Sequence, residues 1–164
     1  MAARSKWLPI LAVCCLLALG GCVALSGPPA DSAYNWTTVT AVDSDTNEEL
    51  ATVDVRIADN GSLRYTGLSN TTSLGENEGM LFIHNSEGRY GYVMRNMAFA
   101  IDIVFINADG EITTIHHAQP DDDGTFQGTA KYVLEVPYEY TTDNGIEVGD
   151  RLRIPEPWGP TAAS

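Results

Sequence analysis

Apolar and polar residues alternate with a period of two through most of the chain beyond Tyr34, which predicts strands whose successive side chains point to opposite faces. The alternating segments are 39–42, 52–58, 80–84, 90–95, 101–107, 111–117, 130–136 and 150–154, about eight short strands. Polar turn signals lie between them. Asp43-Ser44-Asp45-Thr46-Asn47 joins the first two as a hairpin, and Asn60-Gly61, Ser86-Glu87-Gly88 and Gly149-Asp150 punctuate the rest. Asp109-Gly110 sits between two alternating runs, where a type I′ turn demands the positive φ these residues tolerate. Segment 63–74 is the one helical piece, held to one or two turns by Gly67. The pattern predicts a mainly β fold: a small closed or barrel-like domain of short strands with one or two short helices, closure being the way such sheets remove exposed edges.

The ends of the chain depart from this pattern. Arg4 and Lys6 precede an apolar run over residues 7–19 that finishes in Leu19-Gly20-Gly21-Cys22. This resembles a lipoprotein signal peptide ending at its lipidation cysteine, Cys22. The competing reading is an uncleaved anchor over residues 7–25, a length near the roughly 20 residues a spanning helix needs, although Pro9, Gly20 and Gly21 weaken it. These two readings and the third, soluble secretion, all export the domain, with the cationic end held on the cytoplasmic side. The expected organisation is a signal peptide (1–21), a Pro-containing tether (22–33), a single β-rich domain (34–158) and a tail (159–164). The expected location is the outer side of the cell membrane, with the membrane as partner through lipid on Cys22. Cys14 and Cys15 would leave with the leader, so no disulfide could form within one mature chain and the fold would rest on its own core.

Charge adds a second constraint. The chain holds 22 acidic and 9 basic residues, a formal charge of −13, and loss of Arg4 and Lys6 would make it −15. Lys131 is the only lysine beyond the leader. Carboxylates spread along the chain with scarce lysine suit molar salt, where the Debye length is about 3 Å and self-repulsion is screened. A charge of this sign repels phosphate backbones, so no nucleic-acid partner is expected.

Five ordered motifs carry a family resemblance: Gly67-Leu68, Gly79-Met80-Leu81-Phe82, Met94-Arg95-Asn96, Ile101-Asp102-Ile103-Val104-Phe105 and Val133-Leu134-Glu135-Val136-Pro137. With Gly145-Ile146 and Gly149-Asp150 they resemble the domain-of-unknown-function 192 family over residues 53–154. The resemblance implies a small closed or barrel-like β fold with short helices and no established activity. The chain departs from the family pattern at Val93, Met97 and Ala100, where an aromatic, a threonine and a proline are usual. Thr71 stands in the region of a common arginine, and Pro137-Tyr138-Glu139 stands where Pro-Ala-Gly is common.

The polar members of these motifs interrupt apolar strands, where burial without partners is unfavourable. Arg95, Asn96, Asp102 and Glu135, together with His116, are the ligand-binding candidates. The alternative is an internal network, with Asp102 pairing Arg95 or Asn96. A small polar molecule or a saccharide would need a groove near Asn96, Asp102 and His116, whereas an envelope-protein partner would need an exposed aromatic patch around Tyr138, Tyr140 and Trp158. His116 and His117 face opposite ways on a strand and could not share a metal, though either could join His84. The segment 43–47 has oxygen ligands at calcium-loop spacing but Glu48 where such a loop needs glycine, and Asp121-Asp122-Asp123-Gly124 reads as a solvated loop. No nucleophile elbow, phosphate-cradling loop or metalloprotease pattern is present in the sequence, so no catalytic residue, cofactor or metal is expected. A hydrolase would need a pKa-shifted group in a cleft. Asn35, Asn60 and Asn70 open glycosylation sequons.

Two measurements test these expectations. Intact mass should show a lipidated chain beginning at Cys22, and Cys22→Ser should abolish both lipidation and cleavage; a wild-type chain retaining residues 1–21 with a free Cys22 selects the spanning anchor. The denaturation midpoint should rise steeply from low to molar potassium chloride, and a flat midpoint removes the halophilic reading.

Overall fold

The computed structural model describes residues 34–160. The leader, Cys22 and the tether lie outside them, as do residues 161–164. Seven strands and two short helices follow one another as β1 (Asn35–Val42), β2 (Glu49–Ala58), α1 (Gly61–Thr66), β3 (Glu78–Tyr92), β4 (Ile101–Ile106), β5 (Ile112–Ala118), β6 (Phe126–Pro137), α2 (Tyr140–Asp143) and β7 (Arg151–Arg153). They form one sheet in the order β5-β4-β6-β3-β2-β1-β7, antiparallel except for the parallel pair β2–β3, which the crossover through α1 connects.

The two edges meet at one end. Glu111 bridges Arg151, and the Ile112 and Leu152 amides donate to the Asp150 and Gly110 carbonyls at 2.8 Å each. The sheet is thus a strongly curled half-barrel, as the strand pattern predicts. Two expected strands, 80–84 and 90–95, are one: β3 runs for 15 residues through an irregularity between Ile83 and Gly88, where the pairing with β6 shifts rather than stops. The Ser86-Glu87-Gly88 signal therefore marks a bulge and not a reversal. At Asp109-Gly110 only Gly110 has positive φ (86°), so the expected type I′ turn is replaced by a longer loop. There Asn107 Oδ1 accepts from the Asp109 and Glu111 amides. The β1–β2 turn is an Asx structure, Asp43 Oδ1 accepting from the Asp45 and Thr46 amides and the Thr46 hydroxyl. Those bonds to the charged form lower the Asp43 pKa.

Alternation distributes apolar residues to both faces. One cluster draws on all seven strands, including Val39, Val55, Leu81, Val104, Ile112, Leu134 and Leu152, as the inside of a curled sheet does. The other holds Met80, Phe82, Ile101, Ile103, Phe105 and Val133 on the opposite face, beneath Leu63, Leu68, Met94 and Met97 from α1 and the loops. Each well-buried side chain contributes about 1.5 to 3 kcal/mol. Of the expected exposed patch at residues 138, 140 and 158 only Tyr138 is exposed: Tyr140 is buried and Trp158 packs against the first cluster. Their apolar rings finish the open end of the half-barrel.

Asp102 lies on the inner face and is fully buried. Its carboxylate accepts from His117 Nδ1 (2.6 Å), the Glu139 amide (3.0 Å), the Thr141 amide (2.9 Å) and the Thr141 hydroxyl (2.7 Å). The partners differ from the expected Arg95 or Asn96 because register places His117 directly opposite on β5, while α2 folds back over this end of β4. Asp102→Asn should lower stability by about 3 kcal/mol, since an amide cannot accept from all four donors and each charge-assisted bond is worth about 1.5 to 3 kcal/mol. Chemical denaturation reads this, and an unchanged midpoint would show that the four bonds do not hold the fold.

Candidate functional site

A cleft of about 360 Å³ opens on the outer face, over the cluster that contains Phe82. Three segments build it. β3 contributes Phe82, His84, Tyr90 and Tyr92, α1 contributes Arg64 and Tyr65, and the connection after β3 contributes Val93, Arg95 and Met97. Glu135 of β6 completes the floor.

Local chemistry positions each wall. Asn60 caps α1, its carboxamide oxygen accepting from the Ser62 and Leu63 amides at 3.1 Å each. The helix ends at Gly67, whose φ of +49° is accessible to glycine and whose missing side chain admits the Phe82 ring. Arg64 points across the gap to β3, its Nη1 donating to the Asp59 carbonyl (2.8 Å) and the Ile83 carbonyl (2.7 Å). Arg95 lies over the exposed Tyr65 ring, 4.3 Å from its centroid, and donates to the Tyr65 carbonyl at 2.9 Å. His84 stacks on Tyr90 with centroids 3.5 Å apart, and its Nε2 is 3.1 Å from the Tyr92 hydroxyl. From Tyr92 an edge-to-face series continues through Phe105 to His116.

Glu135 is the exceptional member. Strand β6 is central, paired with β3 at Met80 and with β4 at Ile103, so its residue 135 is walled on both sides. Only 6% of Glu135 is exposed. No donor among the described residues hydrogen-bonds to its carboxyl, and burial alone raises its pKa to about 8. The group is therefore an uncharged acid at neutral pH, able to donate as well as accept. The surroundings respond in kind. Burial, with the adjacent Arg64 cation, lowers His84 to about 4 and keeps it neutral. Burial, with the Glu135 charge second, pushes the Tyr92 hydroxyl well above its ordinary range.

Of the five candidate residues, the structure brings Arg95 and Glu135 to this cleft. Asn96, at φ 58°, lines a smaller depression beside it together with Arg95. His116 lies farther along the same face, between Phe105 and Phe126, with Nε2 3.1 Å from the Gln127 carbonyl oxygen. Asp102 faces the other way, into the half-barrel, so the expected groove uniting it with Asn96 and His116 does not form. The residues missed in the sequence are Arg64, Tyr65, Tyr90 and Tyr92. The equal parity of His84, Tyr90 and Tyr92 on one continuous strand would have grouped them, had β3 not been divided at its bulge. Asn35, Asn60 and Asn70 are all exposed.

The fold recurs in other proteins. A Thermococcus sibiricus UPF0127 protein is 29% identical over 109 residues, covering 65% of this chain and 70% of its own. A crystal structure from Sinorhizobium meliloti, of a protein provisionally called a transcription regulator, superimposes with a TM-score of 0.69 at 28% identity and covers 73% of this chain and 94% of its own. A protein of unknown function from Novosphingobium aromaticivorans gives a TM-score of 0.68 at 26% identity, covering 77% and 90%. The DUF192 family model, described as Uncharacterized ACR, matches residues 42–154, and the chain belongs to that family.

Proposed function

We propose that the protein is a lipid-anchored module on the outer side of the cell membrane that binds a small polar ligand or saccharide in the cleft over Glu135. The observation that carries this reading is Glu135 itself: a carboxyl more than nine-tenths buried, with no hydrogen-bond partner among the described residues, on the floor of an open, aromatic-walled cleft. Buried polar groups are ordinarily satisfied within the fold, and one that opens onto a cavity takes its partner from water or from a ligand that displaces that water. The aromatic rings offer flat apolar faces, while Tyr92, Arg64 and Arg95 offer donors around them. The regulator role attached to the Sinorhizobium meliloti protein is not adopted, because a chain of charge −13 repels nucleic acid.

Two outcomes are expected. In a thermal-shift screen of the intact, detergent-solubilised chain against monosaccharides and small polar metabolites in molar potassium chloride, a binder should raise the midpoint by mass action. The rise should disappear in Tyr92→Ala, and a rise that persists in this variant places binding elsewhere. Glu135→Gln should also stabilise the unliganded protein at pH 8 by up to a few kcal/mol, since one pKa unit corresponds to about 1.4 kcal/mol. The sign follows from linkage. The folded carboxyl, with its pKa near 8, keeps a proton that the unfolded one loses above its ordinary 4.5, so stability falls between those values and is not regained above them. The gain should shrink towards pH 4, and a variant less stable than wild type at pH 8 would show that Glu135 serves the fold.

A further inference from the structure

The cleft carries a charge opposite to that of the molecule around it. The chain has 22 acidic residues against 9 basic ones, yet with Glu135 uncharged at neutral pH the charged side chains lining the cleft are Arg64 and Arg95. Neither arginine meets a carboxylate among the described residues. Arg64 is steered by two backbone carbonyls bound to Nη1, leaving Nη2 and Nε without a bond to the described residues. Arg95 is steered by the Tyr65 carbonyl on Nη2 and by the Tyr65 ring, leaving its Nη1 and Nε in the same condition. Neutral acceptors thus orient both guanidinium groups while their remaining donors stay open. Arg89 and Arg151 likewise meet no carboxylate among the described residues, but Arg64 and Arg95 are the two that share one cleft, and a planar guanidinium fork matches a carboxylate.

Resting on the reading of the cleft as a ligand seat, we infer that its ligand is a small carboxylate-bearing sugar, the carboxylate held between Arg64 and Arg95 and a ring hydroxyl or carboxylate oxygen hydrogen-bonded to the Glu135 carboxyl. The cleft volume admits one such ring. The exposed Tyr65 and the Tyr90–His84 stack provide the flat faces. An ionised Glu135 would repel the anion, and the proton it keeps up to about pH 8 converts it from a repulsive acceptor to a donor. The titratable and charged groups that share the cleft with this carboxyl are His84, Tyr90 and Tyr92 of β3, Arg64 and Tyr65 of α1, and Arg95 from the connection after β3. Of these, His84 is already neutral well below pH 7 and Arg64 and Arg95 stay charged. The acidic surface does not forbid an anion at molar salt, where a Debye length of about 3 Å leaves contact pairs and removes distant repulsion.

The test uses one ring in three charge states. Glucuronate, glucose and glucosamine are titrated into the intact chain in detergent at constant molar potassium chloride, with affinity read by calorimetry. Glucuronate should bind about tenfold or more tightly than glucose, and glucosamine most weakly. Arg95→Gln, on an exposed loop where folding is preserved, should reduce the glucuronate preference to parity, and Arg64→Gln should do the same. Raising the pH from 7 to 9 should weaken glucuronate binding in wild type but not in Glu135→Gln, whose amide still donates. Glucose or glucosamine binding as tightly as glucuronate, no binding by any of the three, or an unchanged preference in Arg95→Gln overturns the inference. Equal affinities that all vanish in Tyr92→Ala would overturn the anion preference while leaving the cleft as the ligand seat.

Discussion

The Asp102 carboxylate is the interaction on which the arrangement depends. From the start of β4 it reaches His117 on the edge strand and the backbone of residues 139 and 141 beyond β6, and so ties three consecutive parts of the sheet around one buried carboxylate. A buried carboxylate is unfavourable unless its lone pairs are occupied, and here four donors converge on it. Asp150 repeats the device at the other edge, Oδ1 accepting from the Ser44 amide and Oδ2 from the Glu147 amide. Acid in this chain thus works inside as well as outside: two carboxylates close the half-barrel by gathering amides that loops would otherwise leave unsatisfied.

Glu135 is the counterexample that gives the outer face its meaning. It lies across the register from Ile103, one residue beyond Asp102, yet the sheet directs the two carboxyls to opposite sides. On the inner side turns and a short helix supply donors. On the outer side α1 and the connection after β3 stand back, leaving a cleft. The same functional group therefore holds structure on one face and stays uncommitted on the other, and the contrast is set by what packs above each strand.

Much of the fold was legible because β strands with one face against each core declare themselves by alternation. The hairpin at Asp43–Asn47, the pair around Gly110 and the single short helix near Leu63 all follow from local chemistry. The unity of β3 was hidden, since Ser86-Glu87-Gly88 is turn chemistry whether the chain reverses or bulges, and only pairing with β6 decides between them. The parallel β2–β3 pair and the partners of Asp102 were also illegible, as both depend on contacts between residues far apart in sequence. Glu135 could be singled out as a polar residue in an apolar strand. Its cleft could not, because Arg64 and Arg95 meet there through the position of α1 rather than through any spacing.

The central place of β6 has a consequence for synthesis. Strand β3 finds its antiparallel partner only when residues 126–137 exist, and β7 seals the edge later still. A ribosome delivering this chain from its N-terminus would release little more than one early hairpin and one later one before most of the domain is made. High contact order of this kind slows folding and leaves the sheet incomplete until nearly the whole domain has been made.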